Sequence, residues 1–395
     1  MFFKLKDFNF KEKKVLLRAD FNVPVDGNNN ITDDSRIIKT LPTIKYILSK
    51  KPKQLILISH FGRPEGEYNP AFSLKIVCER LKQLLGSEIF FELNPRIKNI
   101  TTLPEKRIVM LENLRFDKAE DDNNETLIQK LVSFADLYVF DAFGVSHRNQ
   151  ASVSGVPGYI PSCAGLLMEK EVEFLRDTMQ DPQHPFVAII GGAKEDKIGV
   201  IDKLVKKVDH LIIGGVLANT FLKAKNLNIG NSKYSKDTLD YARNLIATYP
   251  DKITLPIDFI LADKYAVDAN TRCVGIDDSI DGWMIMDIGP YTISGYKEII
   301  HKAKTVVWAG PLGVFEWEPF KRGTWDIARA IAEQNIIKII GGGDTGEAIE
   351  KFNLSDKMTL VSTGGGASLE LLAGHELPGI KALEDNYEKF KGSIK

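Results

Sequence analysis

The chain has 395 residues, of which 44% are hydrophobic and 27% charged, and a formal net charge of −1. That length exceeds one ordinary core and predicts two domains, while the composition excludes a disordered or fibrous chain. The balanced charge argues against nonspecific nucleic-acid binding as the main activity. No apolar run approaches the ~18 residues of a membrane span, and residues 1–7 carry charges where a signal peptide needs an apolar core. Three isolated cysteines, Cys78, Cys163 and Cys273, without a C-x-x-C, exclude a disulfide scaffold or a zinc site. A reduced, cytoplasmic setting is expected, with small-molecule partners rather than nucleic acid or membrane. Residues 1–160 hold 24 Lys+Arg against 20 Asp+Glu and the remainder 28 against 33, so the halves lean +4 and −5. That asymmetry suits a small anion on the first half and a metal-bound ligand on the second.

In the first half, short β-type runs at 14–17, 54–58, 88–91, 107–111 and 137–140 alternate with helical patterns at 36–49, 73–85 and 125–134. Such alternation predicts a mainly parallel sheet covered on both faces. Ligands of such sheets bind beyond the carboxyl ends of the strands. Here those ends lead into Arg18-Ala19-Asp20-Phe21-Asn22, Ser59-His60-Phe61-Gly62-Arg63-Pro64, Glu112-Asn113-Leu114-Arg115 and Asp141-Ala142-Phe143-Gly144-Val145-Ser146-His147-Arg148, and Arg36 opens the next helix. A single loop arginine is ordinarily a solvated charge, but five cations converging on one edge predict a polyanion site, because guanidinium forks match phosphate and carboxylate oxygens. His60 reads as a ligand contact. His147 stays unassigned, since no Cys, Ser or carboxylate stands at a spacing that suggests a triad or a metal site.

Residues 166–179 form an amphipathic pattern ended by Asp181-Pro182, the pattern of a connecting helix. The alternation then restarts, with strands expected at 186–190, 210–213, 253–260, 283–288, 305–308, 336–340 and 358–361. Their trailing loops are glycine-rich, Gly191-Gly192-Ala193-Lys194-Glu195-Asp196-Lys197 and Ser362-Thr363-Gly364-Gly365-Gly366 among them. One of them, Gly341-Gly342-Gly343-Asp344-Thr345-Gly346, has three readings: a phosphate cradle at the start of a helix near 347–352, a dinucleotide fingerprint, or a plain tight turn. The dinucleotide reading lacks its acidic residue ~20 positions on and falls near the end of the domain rather than in its first βα turn. No P-loop spelling occurs. A magnesium nucleotide is the better fit, with Asp344 placed to hold the metal.

In this order the motifs at 18–22, 59–64, 111–116, 191–197, 314–317, 341–345 and 362–368 resemble phosphoglycerate kinase, from Arg18 to Gly379. The resemblance implies an α/β fold of two doubly wound parallel-sheet (Rossmann-like) domains joined by an interdomain helix. The implied boundaries are 1–162 for phosphoglycerate, 163–180 for the connector and 181–374 for nucleotide, with a tail at 375–395 returning to the first domain. It also implies a monomer that moves a phosphoryl group reversibly from 1,3-bisphosphoglycerate to ADP with Mg²⁺, in glycolysis, after hinge closure. By motif, Asp20, Phe21, Asn22, Arg36, His60, Phe61, Gly62, Arg63, Arg115 and Arg148 would bind the phosphoglycerate. Lys194, Lys197, Glu316, Gly342, Gly343, Asp344 and Thr345 would bind the nucleotide, Asp344 also the metal. Arg36, Lys194, Gly365 and Gly366 would stabilise the transferring group. In the reverse direction the acceptor is a carboxylate already ionised at neutral pH, which explains a site without an acid–base pair.

The chain departs from the family's pattern in places. The Lys194–Lys197 loop is one residue short, Ala309 stands where Asn is usual before Gly-Pro, Phe140 replaces a frequent Asn, and Asn149-Gln150 replace Ala-His. Residues 384–395 are a charged extension with no functional account. The other readings are an NAD-linked dehydrogenase using the fingerprint at Gly341, and a homologue that binds both substrates without turnover.

Overall fold

Runs such as Leu55-Ile56-Leu57-Ile58 are apolar without alternation, which is the pattern of strands buried on both faces of a parallel sheet. A computed structural model of the chain describes residues 1–192 and 198–394. The chain falls into two units, 1–173 with 376–395, and 174–375.

The first unit is built from β1 (Lys14–Ala19), α1 (Ser35–Ser49), β2 (Gln54–Ile58), α2 (Lys75–Leu85), β3 (Phe90–Phe91), β4 (Ile108–Met110), α3 (Glu125–Val132), β5 (Leu137–Asp141) and β6 (Ser162–Ala164). They form a six-stranded sheet ordered β3-β4-β2-β1-β5-β6, parallel throughout, with Arg18 opposite both Ile58 and Phe140. All its strands therefore end at one edge. β6 was not anticipated from the sequence; three residues are too few to show a period. α2 ends on Gly86 in the left-handed region, φ 59°, where a glycine cap satisfies the last carbonyls without a Cβ penalty.

The second unit begins within α4 (Leu166–Gln180), which crosses the division between the units. It continues through β7 (Phe186–Ile190), α5 (Ile198–Lys207), β8 (His210–Ile213), α6 (Gly215–Ala224), α7 (Leu239–Thr248), β9 (Ile253–Thr254), β10 (Asp258–Ala262), β11 (Thr271–Gly275), β12 (Met284–Ile288) and α8 (Pro290–Lys302). β13 (Thr305–Ala309), α9 (Arg322–Ala332), β14 (Ile337–Gly341), α10 (Gly343–Lys351), β15 (Leu360–Val361) and α11 (Gly366–Leu372) complete it. Its main sheet, β15-β14-β13-β7-β8-β9, is parallel and six-stranded, so the fold is the two-sheet α/β class that the alternation predicts.

Two expectations need correction here. The run at 253–260 is not one strand: Pro256 cannot donate to a ladder, and the chain divides there into β9 and β10. β10 and β12 leave the main sheet for a separate three-stranded sheet, in which β10 lies between β11 and β12 and pairs antiparallel with both. β11, Thr271-Arg272-Cys273-Val274-Gly275, has a mostly exposed pattern and gave no apolar signal.

The final helix, α12 (Pro378–Phe390), packs within the first unit. The ring of Tyr387 lies 4.7 Å from that of Phe3. Asn386 accepts from the Ser162 N–H at 2.9 Å and donates to the Ile160 carbonyl at 2.8 Å. Much of the charged stretch after 384 is thus the second half of a helix that braces β6.

Candidate active site

The loops that leave β1, β2, β4 and β5 share one edge and are tied to one another by short polar side chains. Asp20 is buried, accepts from the Asn22 N–H at 3.2 Å, and pairs with the Arg36 guanidinium from the first turn of α1. Asn22 accepts from the Gly62 N–H at 2.8 Å, and Ser59 Oγ accepts from the Phe21 N–H at 2.9 Å. Gly62 admits no side chain, since a Cβ there would lie 2.3 Å from the Phe72 ring. Asn113, fully buried, donates to the Phe61 and Phe72 carbonyls at 2.6 and 2.9 Å and accepts from the Phe61 and Arg115 N–H groups at 3.1 Å each. The side chains of Phe21 and Phe61 belong to the core; the edge uses their backbones.

Positive charge accumulates on this frame. Arg115 is buried and donates to the Gly62 carbonyl at 2.8 Å, but its other terminal nitrogen has no hydrogen-bond partner among the described residues, nor has Nε of Arg148. Burial first, then the charges of Arg148 and Arg18, push the Arg115 pKa down to about 10. Burial and the charge of Arg63 lower that of Arg148. His60, also buried, is held well below its usual pKa by burial and then by Arg18, Arg115, Arg36 and Arg148. These shifts have one remedy: a bound polyanion supplies the missing acceptors and the missing negative charge together. Arg36 and Arg148 are half-buried and Arg63 is exposed.

On the second unit, the loops after β7, β8, β13, β14 and β15 share the corresponding edge, with Ala309 paired to both Ile190 and Gly341. Gly342 has φ 104°, ψ 140°, a conformation that side chains resist, and it starts α10 at Gly343. The helix therefore begins four residues earlier than expected, which puts Asp344 and Thr345 in its first turn, where backbone N–H groups and the helix dipole favour anions. Thr345 is buried and its Oγ accepts from the Gly310 N–H at 2.6 Å, fastening the β13 loop to this helix. A Cβ on Gly365 would sit 3.7 Å from the Gly343 nitrogen, so the glycines before α10 and α11 stand beside each other. A cavity of about 380 Å³ opens along this edge, lined in part by Gly192, Gly215, Gly313, Glu316 and Asp344. Lys194 and Lys197, with the short loop between them, lie outside the described residues.

Asp287, which the sequence did not single out, also lines this cavity. Its carboxylate accepts from the Gly323 and Ile288 N–H groups at 2.7 and 2.9 Å, and burial pushes its pKa up to about 8. A Cβ on Gly313 would lie 2.1 Å from it, so it packs directly beneath the β13 loop. Ser59 and Asn113 lie within the motifs after β2 and β4, but as neutral polar residues they carry no sequence signal of their own.

Among the described residues no group of three or more His, Cys, Asp or Glu is placed to hold a metal. No described helix is long and apolar enough to cross a membrane.

Comparison with known proteins completes the description. The sequence profile of the family "Phosphoglycerate kinase" matches residues 5–375. The chain is 46% identical to the phosphoglycerate kinase of Chloroflexus aurantiacus over 394 residues, covering 96% of this chain and 98% of that one. It is 46% identical to a cytosolic phosphoglycerate kinase of Nicotiana tabacum over 393 residues, with the same coverages. The solved structure of phosphoglycerate kinase from Coxiella burnetii matches with a TM-score of 0.83 and 40% identity, covering 98% of this chain and 100% of that one.

Proposed function

The chain belongs to the phosphoglycerate kinase family, and on that premise we propose which of its residues perform the transfer. The reaction is reversible phosphoryl transfer from 1,3-bisphosphoglycerate to ADP, giving 3-phosphoglycerate and ATP, a glycolytic step in which, read in reverse, a carboxyl group is the acceptor. Family membership does not favour the dehydrogenase reading.

Our assignment puts the phosphoglycerate on the arginine edge. The observation that carries it is the pair of buried guanidinium nitrogens on Arg115 and Arg148 that have no partner among the described residues. Asp20, Asn22 and the backbones of Phe21, Phe61 and Gly62 hold the frame, while Arg36, His60, Arg63, Arg115 and Arg148 face the anion. The nucleotide occupies the glycine edge, with Glu316 toward the ribose, Gly342, Gly343 and Thr345 shaping the phosphate end, and Lys194 and Lys197 supplying charge. The donor set fits Mg²⁺: one carboxylate, Asp344, shares a cavity with Glu316, and Mg²⁺ prefers one or two carboxylates plus phosphate oxygens and waters to an all-protein cage. When bound, it neutralises phosphate charge.

The chain's own residues then do three things. Arg36 and Lys194 stabilise the charge on the transferring group, and the N–H groups at Gly365 and Gly366 receive its oxygens. No side chain takes a proton, because the attacking group, an ADP phosphate oxygen or in reverse the 3-phosphoglycerate carboxylate, is already ionised at neutral pH. Direct transfer requires the two substrates to meet and water to be shut out, which places a closure step before the chemistry. A monomeric, cytoplasmic enzyme completes the proposal; a cytosolic relative supports the latter. The test is ATP formation from 1,3-bisphosphoglycerate and ADP by the folded chain: turnover that vanishes without Mg²⁺ supports the reading, and no turnover with Mg²⁺ present ends it.

A further inference from the structure

Arg18 ends β1 fully buried, yet it faces several polar partners that the transfer reaction does not explain. Its Nε donates to Ser152 Oγ at 2.9 Å, one terminal nitrogen donates to the Ala19 carbonyl, and the other reaches His60 Nδ1 at 3.2 Å. A guanidinium has donors and no acceptor. His60 Nδ1 must therefore be the acceptor in this contact, and the ring proton must be on Nε2.

The far side of Arg18 is equally determined. A serine hydroxyl has one proton; accepting from Arg18, Ser152 gives that proton to Glu120 Oε1 at 2.6 Å, while its own N–H reaches Glu120 Oε2 at 3.0 Å. Ser152 and Glu120 are fully buried, and the Tyr138 hydroxyl donates to the Ser152 carbonyl. Burial raises the Glu120 pKa, and the Arg18 charge opposes it. The chain of donors thus has a single direction on each side of Arg18, and no member can rotate without stranding another buried polar atom.

We propose that Glu120 and Ser152, acting through Arg18, are positioning residues that fix the tautomer of His60, so that Nε2–H is the donor it offers to an oxygen of the phosphoglycerate. Nε2 lies 3.9 Å from Asp20 Oδ1, longer than a hydrogen bond, and Asp20 is already engaged by Arg36. The donor is thus kept for the ligand. The opposite tautomer would turn a lone pair toward an anion and lose its contact. This rests on the assignment of phosphoglycerate to the arginine edge.

The experiment uses the full chain with ¹⁵N-labelled histidine, recording the imidazole nitrogens at neutral pH with and without 3-phosphoglycerate, the His60 signals being assigned with His60→Gln. The wild-type ring is expected to be the pure Nε2–H form in both states, with Nε2 shifting when the ligand binds. Ser152→Ala is expected to give a mixture of tautomers and to raise the 3-phosphoglycerate KM about tenfold, the effect of one lost hydrogen bond to a charged group, with kcat and the MgATP KM within about twofold. Ser152→Thr keeps the hydroxyl and restores both, and Glu120→Gln shifts both in the same direction by about threefold. A protonated Nδ1 in the wild type overturns the proposal, and that spectrum decides even where Ser152→Ala does not fold. A folded Ser152→Ala chain with unchanged tautomer and KM overturns it as well. A His60 ring that is Nε2–H but indifferent to 3-phosphoglycerate overturns instead the assignment of the anion to this edge.

Discussion

Both edges are the carboxyl ends of six-stranded parallel sheets, which differ in strand order, and they carry opposite chemistry. One carries arginines on loops that are clipped together by Asp20, Asn22, Ser59 and Asn113. The other carries glycines that let loops and two helix starts approach one another, with Asp344 and Glu316 on its cavity wall. On the proposed assignment, the ligands account for the difference. A phosphoglycerate is small and densely charged, so side-chain guanidiniums can surround it from four strand ends. A nucleotide is long and carries its charge at one end, so the backbone must come close and a metal must share the charge. The same α/β architecture can serve both because the chemistry sits in the loops beyond the strand ends.

The comparison can be broken most severely at the transferring group. Arg36→Ala and Lys194→Ala are each expected to lower kcat by about 10²- to 10³-fold, the usual cost of removing one preorganised charge partner, an effect on the rate larger than any loss of stability. Turnover near the wild-type value in either variant contradicts its role. Asp344→Asn separates the edges next: Mg²⁺-dependent turnover should fall at least about tenfold, while 3-phosphoglycerate affinity measured by calorimetry stays at the wild-type value.

Asn113→Ala tests whether the arginine edge needs its frame. It strands several buried backbone groups, so denaturant unfolding should show a loss of about 2–3 kcal/mol, accompanied by a raised 3-phosphoglycerate KM and an unaltered MgATP KM. A further stability test concerns Asp287. Its carboxyl is raised from an ordinary value near 3.8 to about 8 in the folded chain, so between those values the folded state holds a proton that the unfolded state releases. That contribution to stability is present below pH 4 and is lost as the pH rises toward 8. Asp287→Asn should therefore have a flatter stability profile than wild type between pH 4 and 8, read from melting temperatures across that range.

Much of this was legible because chemistry in a parallel sheet follows its strands. Once Val15-Leu16-Leu17 and its counterparts mark the strands, the residues after them become the candidate site, and His60, Arg115 and Arg148 need no further signal. The frame was less visible. Asn113 and Ser152 are neutral polar residues whose partners stand far away in sequence, Ser152 being 134 positions from Arg18, and no local pattern encodes such a contact. The start of α10 is hidden in the sequence because glycines suggest a loop, whereas Gly343 is the helix's first residue. The antiparallel sheet was hidden for a related reason: β11 has little apolar content, and β10 merges in sequence with the run before Pro256.

The division of labour between the edges is tested most directly by titrating two folded variants with each ligand. Arg115→Ala is expected to weaken 3-phosphoglycerate binding at least about tenfold, by loss of a charge-assisted bidentate partner, and to leave MgADP binding unchanged; Asp344→Asn is expected to do the reverse. Equal weakening of both ligands by either variant would contradict the account.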